Sequence, residues 1–433
     1  MAPVYITVLL LIVILGSTVW VGLGLTGAGI VAISIFRPAM PYFRHLAFSL
    51  WNTAITPTMI ALALFILMAE ILFRTKLSNL IFSGLAPWVT WIPGKLMHTN
   101  VIGCTLFAAV SGSSAATAAT IGKVTLAELD KRGYNHKISV GSLAGSGTLG
   151  FLIPPSTMLI IYGTLAEESV LKLFLAGFIP GIIIAILYIG YIIIYSLYHK
   201  NIAPVEETNY TYKEKLKSLI NLGPIVFLIL LIMIAMYGGY ATPTEAAAVG
   251  VFGSLLIGFF QRSLSFEAIK DALMAATRTI SMIGFIIIGA VFLSQIMGFL
   301  AIPSLIATRI AALNLSPLVL IALLLLVFIF LGCIMDGMAI LVMTLPITLP
   351  LMLQAGYTKI WFGIFMVIAI QLAQITPPVG FNLFIIQGLT GDDMGYISKA
   401  AFPFFIIMVL FALLIAIFPE IVTYIPDQIV FRG

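Results

Sequence analysis

The sequence predicts an all-α polytopic membrane protein built from two inverted repeats, each holding a re-entrant helical hairpin and a broken helix. Two observations lead there. The chain is 61% hydrophobic and 9% charged, with a mean hydropathy of +1.18. A soluble domain carries about 25% charged residues, so most of this chain lies in lipid. The second observation is a repetition of landmarks. Gly133-Tyr134 recurs as Gly356-Tyr357, Pro154-Pro155 as Pro377-Pro378 and Pro180 as Pro403, each 223 positions on. Three matches at one offset exceed what an apolar composition supplies by chance. Internal duplication of membrane segments marks secondary transporters, whose substrate site lies where the halves meet.

A hydrocarbon core of about 30 Å needs roughly 20 apolar residues in a helix. Segments 3–35, 47–73, 171–198, 219–237, 240–260, 278–300 and 400–418 meet that length. Segments 138–163 and 358–388 are as apolar but are interrupted by glycine and Pro-Pro. Segments 97–128 and 315–354 have small, polar or charged centres, Ser111-Gly112-Ser113-Ser114 and Gly332-Cys333-Ile334-Met335-Asp336-Gly337. At about 15 residues per arm they are short for pairs of ordinary spans, and they read as re-entrant hairpins. Segments 75–93 and 301–313 flank the hairpins equivalently. They read as interfacial arm helices, with Trp88 and Trp91 near the headgroups. The organisation is then an N-terminal scaffold span (1–46), a first repeat (47–198), a connector with two scaffold spans (199–277), a second repeat (278–418) and a C-terminal tail (419–433).

Charge orients these segments. Lys95 and His98 precede the first hairpin and Lys131, Arg132 and Lys137 follow it, so it opens to the cytoplasm under the positive-inside rule. The second hairpin has only Arg309 before it and Lys359 after it, the sparser charge expected outside. With the N-terminus cytoplasmic, an odd number of crossings separates equivalent points, the repeats are inverted, and the C-terminus is periplasmic. Arg37 and Arg44 then fall outside, against the rule. Met1-Ala2-Pro3-Val4 has no basic region and the apolar stretch after it no small-residue cleavage site, so this segment reads as a retained span.

Breaking a helix in lipid leaves N–H and C=O groups unpaired at several kcal/mol each, unless something binds them. The first break runs from Gly145-Ser146-Gly147-Thr148 to Pro154-Pro155-Ser156, and the second from Gln371 through Thr376-Pro377-Pro378 to Asn382. Half-helix N-termini face anions and freed carbonyls face cations. Carbonyls released by Pro-Pro, with Ser, Thr and Asn oxygens nearby, suit a small hard cation such as sodium. Close helix packing is the competing account of the small residues. Asp336 is an intramembrane carboxylate, functional by default, and it also fits the N-cap of a helix starting at Gly337. Thr242 and Glu245 spell a capping box, and Glu70 and Arg74 an i,i+4 pair.

Other classes fit poorly. All four histidines (His45, His98, His136, His199) lie in loops or at segment ends, which leaves no buried base for Ser111, Ser113 or Ser114. Asp336 has no intramembrane acidic partner for an aspartyl-type site. Cys104 and Cys333 lie in apolar runs without metal-ligand spacing. The net charge of +5 is distributed among short loops with no basic patch, so no nucleic-acid partner is expected. A channel would repeat its rings of charge through oligomer symmetry rather than within one chain.

Five stretches resemble the large membrane subunit of tripartite ATP-independent periplasmic (TRAP) transporters. They are Val110-Ser111-Gly112-Ser113-Ser114-Ala115-Ala116-Thr117, Ile153-Pro154-Pro155-Ser156, Ala241-Thr242-Pro243-Thr244-Glu245-Ala246, Leu331-Gly332-Cys333-Ile334-Met335-Asp336-Gly337 and Thr376-Pro377-Pro378-Val379-Gly380-Phe381-Asn382. Thr117 departs from the pattern, where many relatives carry an acidic residue. The resemblance implies an elevator-type fold in the bacterial inner membrane. It also implies sodium-coupled import of carboxylate-bearing solutes such as C4-dicarboxylates or sialic acid. The implied partners are a small four-span membrane subunit and a periplasmic solute-binding protein. Sodium would be held at Ser111, Gly112, Ser113 and Ser114 with Gly145 and Thr148, and at Gly332, Asp336 and Gly337 with Thr376 and Pro377. The substrate would lie between the tips, near Ser113, Ser114, Pro155, Ser156, Pro378 and Asn382. A stand-alone sodium/dicarboxylate symporter of similar architecture is the alternative reading.

Overall fold

The computed structural model describes residues 20–199, 202–204, 210–311, 313 and 315–428, together with 3, 5–7, 9 and 10. Among them the regular structure is entirely helical. Helix α1 (Val21–Phe36) covers the later part of the first predicted span, whose residues 4, 8 and 11–19 lie outside the described ones. Helices α2 (Tyr42–Ala54) and α3 (Pro57–Phe73) meet at a bend of 55°. One continuous span over 47–73 is therefore corrected to a bent pair. Pro57 has no N–H to extend the preceding helix, and it holds Thr56 extended at φ −68° and ψ 127°.

Arm α4 (Leu77–Val89) buries most of its surface against α5 (His98–Ser111), α6 (Ser114–Lys131) and α10 (Tyr212–Tyr237), so it is a packed helix on that side. Helices α5 and α6 form the first hairpin, packed on each other and turning at Gly112-Ser113. Helix α7 (His136–Gly147) passes through a 3-10 turn at Thr148–Phe151 and the Pro-Pro break into α8 (Thr157–Ala166), followed by α9 (Val170–Tyr198). The connector supplies α10 and α11 (Pro243–Phe260), each opened by a capping box, Thr211 with Glu214 and Thr242 with Glu245. The second repeat follows as α12 (Phe266–Phe299), α13 (Ile302–Ala311), α14 (Pro317–Gly332), α15 (Gly337–Gln354), α16 (Lys359–Gln374), α17 (Phe381–Thr390) and α18 (Met394–Ile417). Positions 420–428, read as tail, form a further helix α19 (Glu420–Gln428). The limits at 46/47 and 277/278 fall inside α2 and α12.

Helix starts preserve the sequence offset: Ser114 and Gly337, and His136 and Lys359, are each 223 apart. Among the described residues six helices, or seven with the bent pair, are long and apolar enough to cross a membrane, and the second hairpin's α15 is one of them. The core is built on the broken helices. Every residue of α7 from Ile138 to Gly147, and of α16 from Trp361 to Gln374, is buried. Each packs on the last helix of the other repeat, α7 on α18 and α16 on α9. A Cβ at Gly141 would collide with the Ala400 carbonyl, so glycine is what lets α7 and α18 touch backbone to backbone. An outer group surrounds this core, with α1 and α3 packed on α12 and α3 packed on α11.

Candidate functional site

Gly112 ends α5 in the left-handed conformation at φ +58°, which turns the chain sharply into Ser113. Ser113 caps α6 by accepting from Ala116 N. The carbonyl of Gly112 accepts both the backbone N–H (3.3 Å) and the hydroxyl (2.7 Å) of Thr157, so the tip is latched to the first turn beyond the break. The Thr117 hydroxyl donates to Ser113 O at 2.7 Å and lies 2.7 Å from Ser111 Oγ. Gly150 lies against the tip backbone, where a Cβ would stand 2.5 Å from Ser113 O. Ser156 caps α8 and donates to Phe151 O, while Thr148 donates to Gly145 O at 2.7 Å. Pro155, Ser156, Gly145, Thr148, Ser111, Gly112 and Ser114 are all buried; Ser113 is half-buried.

The second tip is more open. Asp336 caps α15 through Oδ1, which accepts Ala339 N at 2.8 Å. It is exposed and borders a cavity of about 750 Å³ shared with α1 and α12, including Arg278. Gly332 and Gly337 are buried against α16, at Ala373 and at Ile370 and Gln374 respectively. Thr376 is half-buried and its hydroxyl turns back to Leu372 O at 2.7 Å, while Pro377 and Pro378 are exposed. Among the described residues the Thr376 carbonyl and the second carboxylate oxygen of Asp336 accept no hydrogen bond.

A bond between the first tip and the second break joins the halves inside the core. Ser114 Oγ, at the first tip, donates to Oδ1 of Asn382 at 2.9 Å, just beyond the second break. Asn382 is fully buried and its Nδ2, which points toward Gly147 of the first break, has no partner among the described residues. Gln371, on the other side of the second break, is fully buried, and among the described residues both its side-chain polar atoms are unpartnered. Orphaned buried polar atoms cost about 1–3 kcal/mol each, so both side chains lack partners that burial ordinarily demands. Sequence reasoning placed Gln371 in the break but not in the site; a glutamine within an apolar helix was the signal.

One of the histidines needs a correction. His98 is fully buried, with Nε2 2.8 Å from Pro93 O, although it heads α5, a helix length of about 20 Å from Ser111. His136 joins the two repeats: Nδ1 lies 2.7 Å from Asp130 and Nε2 2.7 Å from Asp392, with the Tyr396 ring stacked beside it. Burial lowers its proton affinity and the two carboxylates raise it, and the balance is upward. At the equivalent position in the second repeat, Lys359 donates to Ala166 O at 2.8 Å. Each broken helix is thus clamped at its start to the far end of the other repeat's broken helix.

Residues 6–421 match the family model described as tripartite ATP-independent periplasmic transporter, DctM component. The chain is 31% identical to the C4-dicarboxylate TRAP transporter large permease protein DctM of Pseudomonas aeruginosa, covering 94% of this chain and 93% of that one. It is 29% identical to the isethionate TRAP transporter permease protein DctMQ of Oleidesulfovibrio alaskensis, over 98% of this chain and 65% of that longer protein. Its fold is similar to the crystal structure of the Alcanivorax borkumensis YdaH transporter, with a TM-score of 0.61 at 13% identity over 87% of this chain and 88% of that one. Paired hairpins and breaks, and a family match over nearly the whole length, agree: this multi-span membrane chain belongs to the DctM family of TRAP transporter large permeases.

Proposed function

We propose that this chain is the permease through which a sodium gradient drives import of an organic acid. The observation that carries the reading is the pair of breaks facing two hairpin tips, the second break flanked by the buried orphan atoms of Gln371 and Asn382. Sodium has oxygen donors to use at the second tip: the Asp336 carboxylate, the Thr376 carbonyl, the Pro377 carbonyl, which accepts only the weak Cys333 thiol at 3.2 Å, and, deeper, Gln371 Oε1. At the first tip the Ser113, Gly112 and Gly145 carbonyls already accept protein hydroxyls, so an ion there displaces Thr117, Thr157 or Thr148 hydrogen bonds. The substrate carboxylate takes the Asn382 amide and the half-helix N-termini at Ser114 and Phe381.

The tips, breaks, α9 and α18 form the moving body of an elevator, and the outer helices form its frame. The cytoplasmic face is the one carrying Lys131, Arg132 and Lys137. A periplasmic binding protein delivers the solute and a small membrane subunit widens the frame. The longer relative whose name joins DctM to a further letter supports such a second component.

Reconstitution tests this. Proteoliposomes holding both membrane subunits, with binding protein outside, should take up a C4-dicarboxylate or a related acid only under an inward sodium gradient. Asp336→Ala should lower the sodium-dependent rate at least tenfold. Uptake by this chain alone favours the stand-alone symporter, and uptake indifferent to sodium rejects the coupling.

A further inference from the structure

Two cavities occupy matched places in the two repeats and differ in charge. The first, about 970 Å³, lies between α4 and α6; the second, about 570 Å³, lies along α15 and α12. Ala119, Lys123 and Ala127 line the first, and their counterparts 223 positions on, Val342, Pro346 and Pro350, line the second. The place on the hairpin's second arm is therefore shared by the repeats, while the charge is not. Among the described lining residues the first cavity holds Lys123, Glu128 and Arg132, and the second holds Glu167 and Glu168 with no cation. Arg132 is bonded to Glu128 at 3.3 Å, whereas exposed Lys123 makes no ion pair among the described residues.

The lining residues of α6 recur three and four positions apart, so they share one face of that helix. From Ala119 to Arg132 this face spans about 20 Å, from the polar loop to within about one and a half turns of the first tip. The lining is polar and apolar in similar measure, and an unpaired cation in such a protein-walled cleft raises the local concentration of anions that enter it. Lysine does so as a point charge on a flexible stem, which suits any carboxylate rather than one fixed geometry.

We infer that the first cavity is an anion vestibule, in which Lys123, with Ser78, Asn79 and Thr120 as hydrogen-bonding neighbours, holds an organic carboxylate on its way between the first tip and the aqueous face. Its biological use rests on the proposed organic-acid transport; its electrostatics do not.

The test reads the potential directly. Thr120→Cys is introduced with Cys333→Ser, and the purified protein in nanodiscs is labelled with sulfonatoethyl or trimethylammonioethyl methanethiosulfonate. Relative to a small free thiol, the anionic-to-cationic rate ratio should be raised, and Lys123→Gln should lower it about three- to tenfold. The same Lys123 change should leave the ratio at Leu345→Cys, in the second cavity, unaltered. A ratio at Thr120→Cys equal to that of the free thiol, a ratio indifferent to Lys123→Gln, or no labelling by either reagent (a lipid-filled cleft) overturns the proposal. No transport is measured, so failure of the vestibule and failure of the uptake assay are separate results.

Discussion

Ser111, Ser114, Ser156 and Thr157 of the first repeat correspond, 223 positions on, to Ile334, Gly337, Val379 and Gly380 of the second. The first four each make a hydrogen bond that fastens the tip, the break or the two together. None of the second four has a side chain able to do so. What the repeats retain is the cap: Ser113 accepts from Ala116 N and Asp336 from Ala339 N, the same two positions in each copy. Helix initiation has survived the divergence of the repeats, and closure of the tip by hydroxyls has not. The hydroxyl contacts of the first tip give way at the second to a weak thiol contact, Cys333 Sγ to Pro377 O at 3.2 Å, while the Thr376 carbonyl stays available.

The largest consequence is accessibility. Ser111 is 3% exposed and Ile334 58%. In a Cys333→Ser background, a maleimide that does not cross membranes should label Ile334→Cys at least tenfold faster than Ser111→Cys; equal rates would dissolve the contrast. Next comes the bond across the repeats. Ser114→Ala leaves Oδ1 of Asn382 buried without its donor and should cost about 1–3 kcal/mol, read as earlier thermal unfolding in detergent.

The smallest effect concerns the clamps. A folded pKa raised above the ordinary 6.5 means that His136 contributes stability in full below that value, and that this is lost as pH rises through the folded pKa. At its partial exposure the contribution is below about 1 kcal/mol. Wild-type melting should therefore fall by roughly 1–2 °C more than that of His136→Gln as pH climbs through this range. Parallel pH profiles would show that Asp130 and Asp392 gain nothing from the proton.

Most of the helical skeleton was legible because its punctuation is local. Pro154-Pro155 and Pro377-Pro378 end helices wherever they stand, and Gly112 and Asp336 announce a turn and a cap within four residues. The bend at Pro57 was legible in principle, yet the apolar run on both sides of it reads as one span. The repeat supplies the contrast: Ile280 stands at the equivalent position, and α12 runs through it unbroken. Helix α19 was missed because Pro419 and Pro426 make a short polar segment read as tail.

The site was legible as four elements but not as a set of free and committed atoms. Composition, spacing and the offset of 223 determined that this chain is a duplicated membrane protein with two hairpins and two breaks, because these features depend on residues near one another in sequence. Only the tertiary structure decided that Ser114 finds Asn382, that Gln371 is left without a partner, and that Lys123 faces a cavity whose twin carries glutamates. Those outcomes depend on which of many oxygens and amides come within about 3 Å of each other. That distance is set by the packing of helices far apart in the chain.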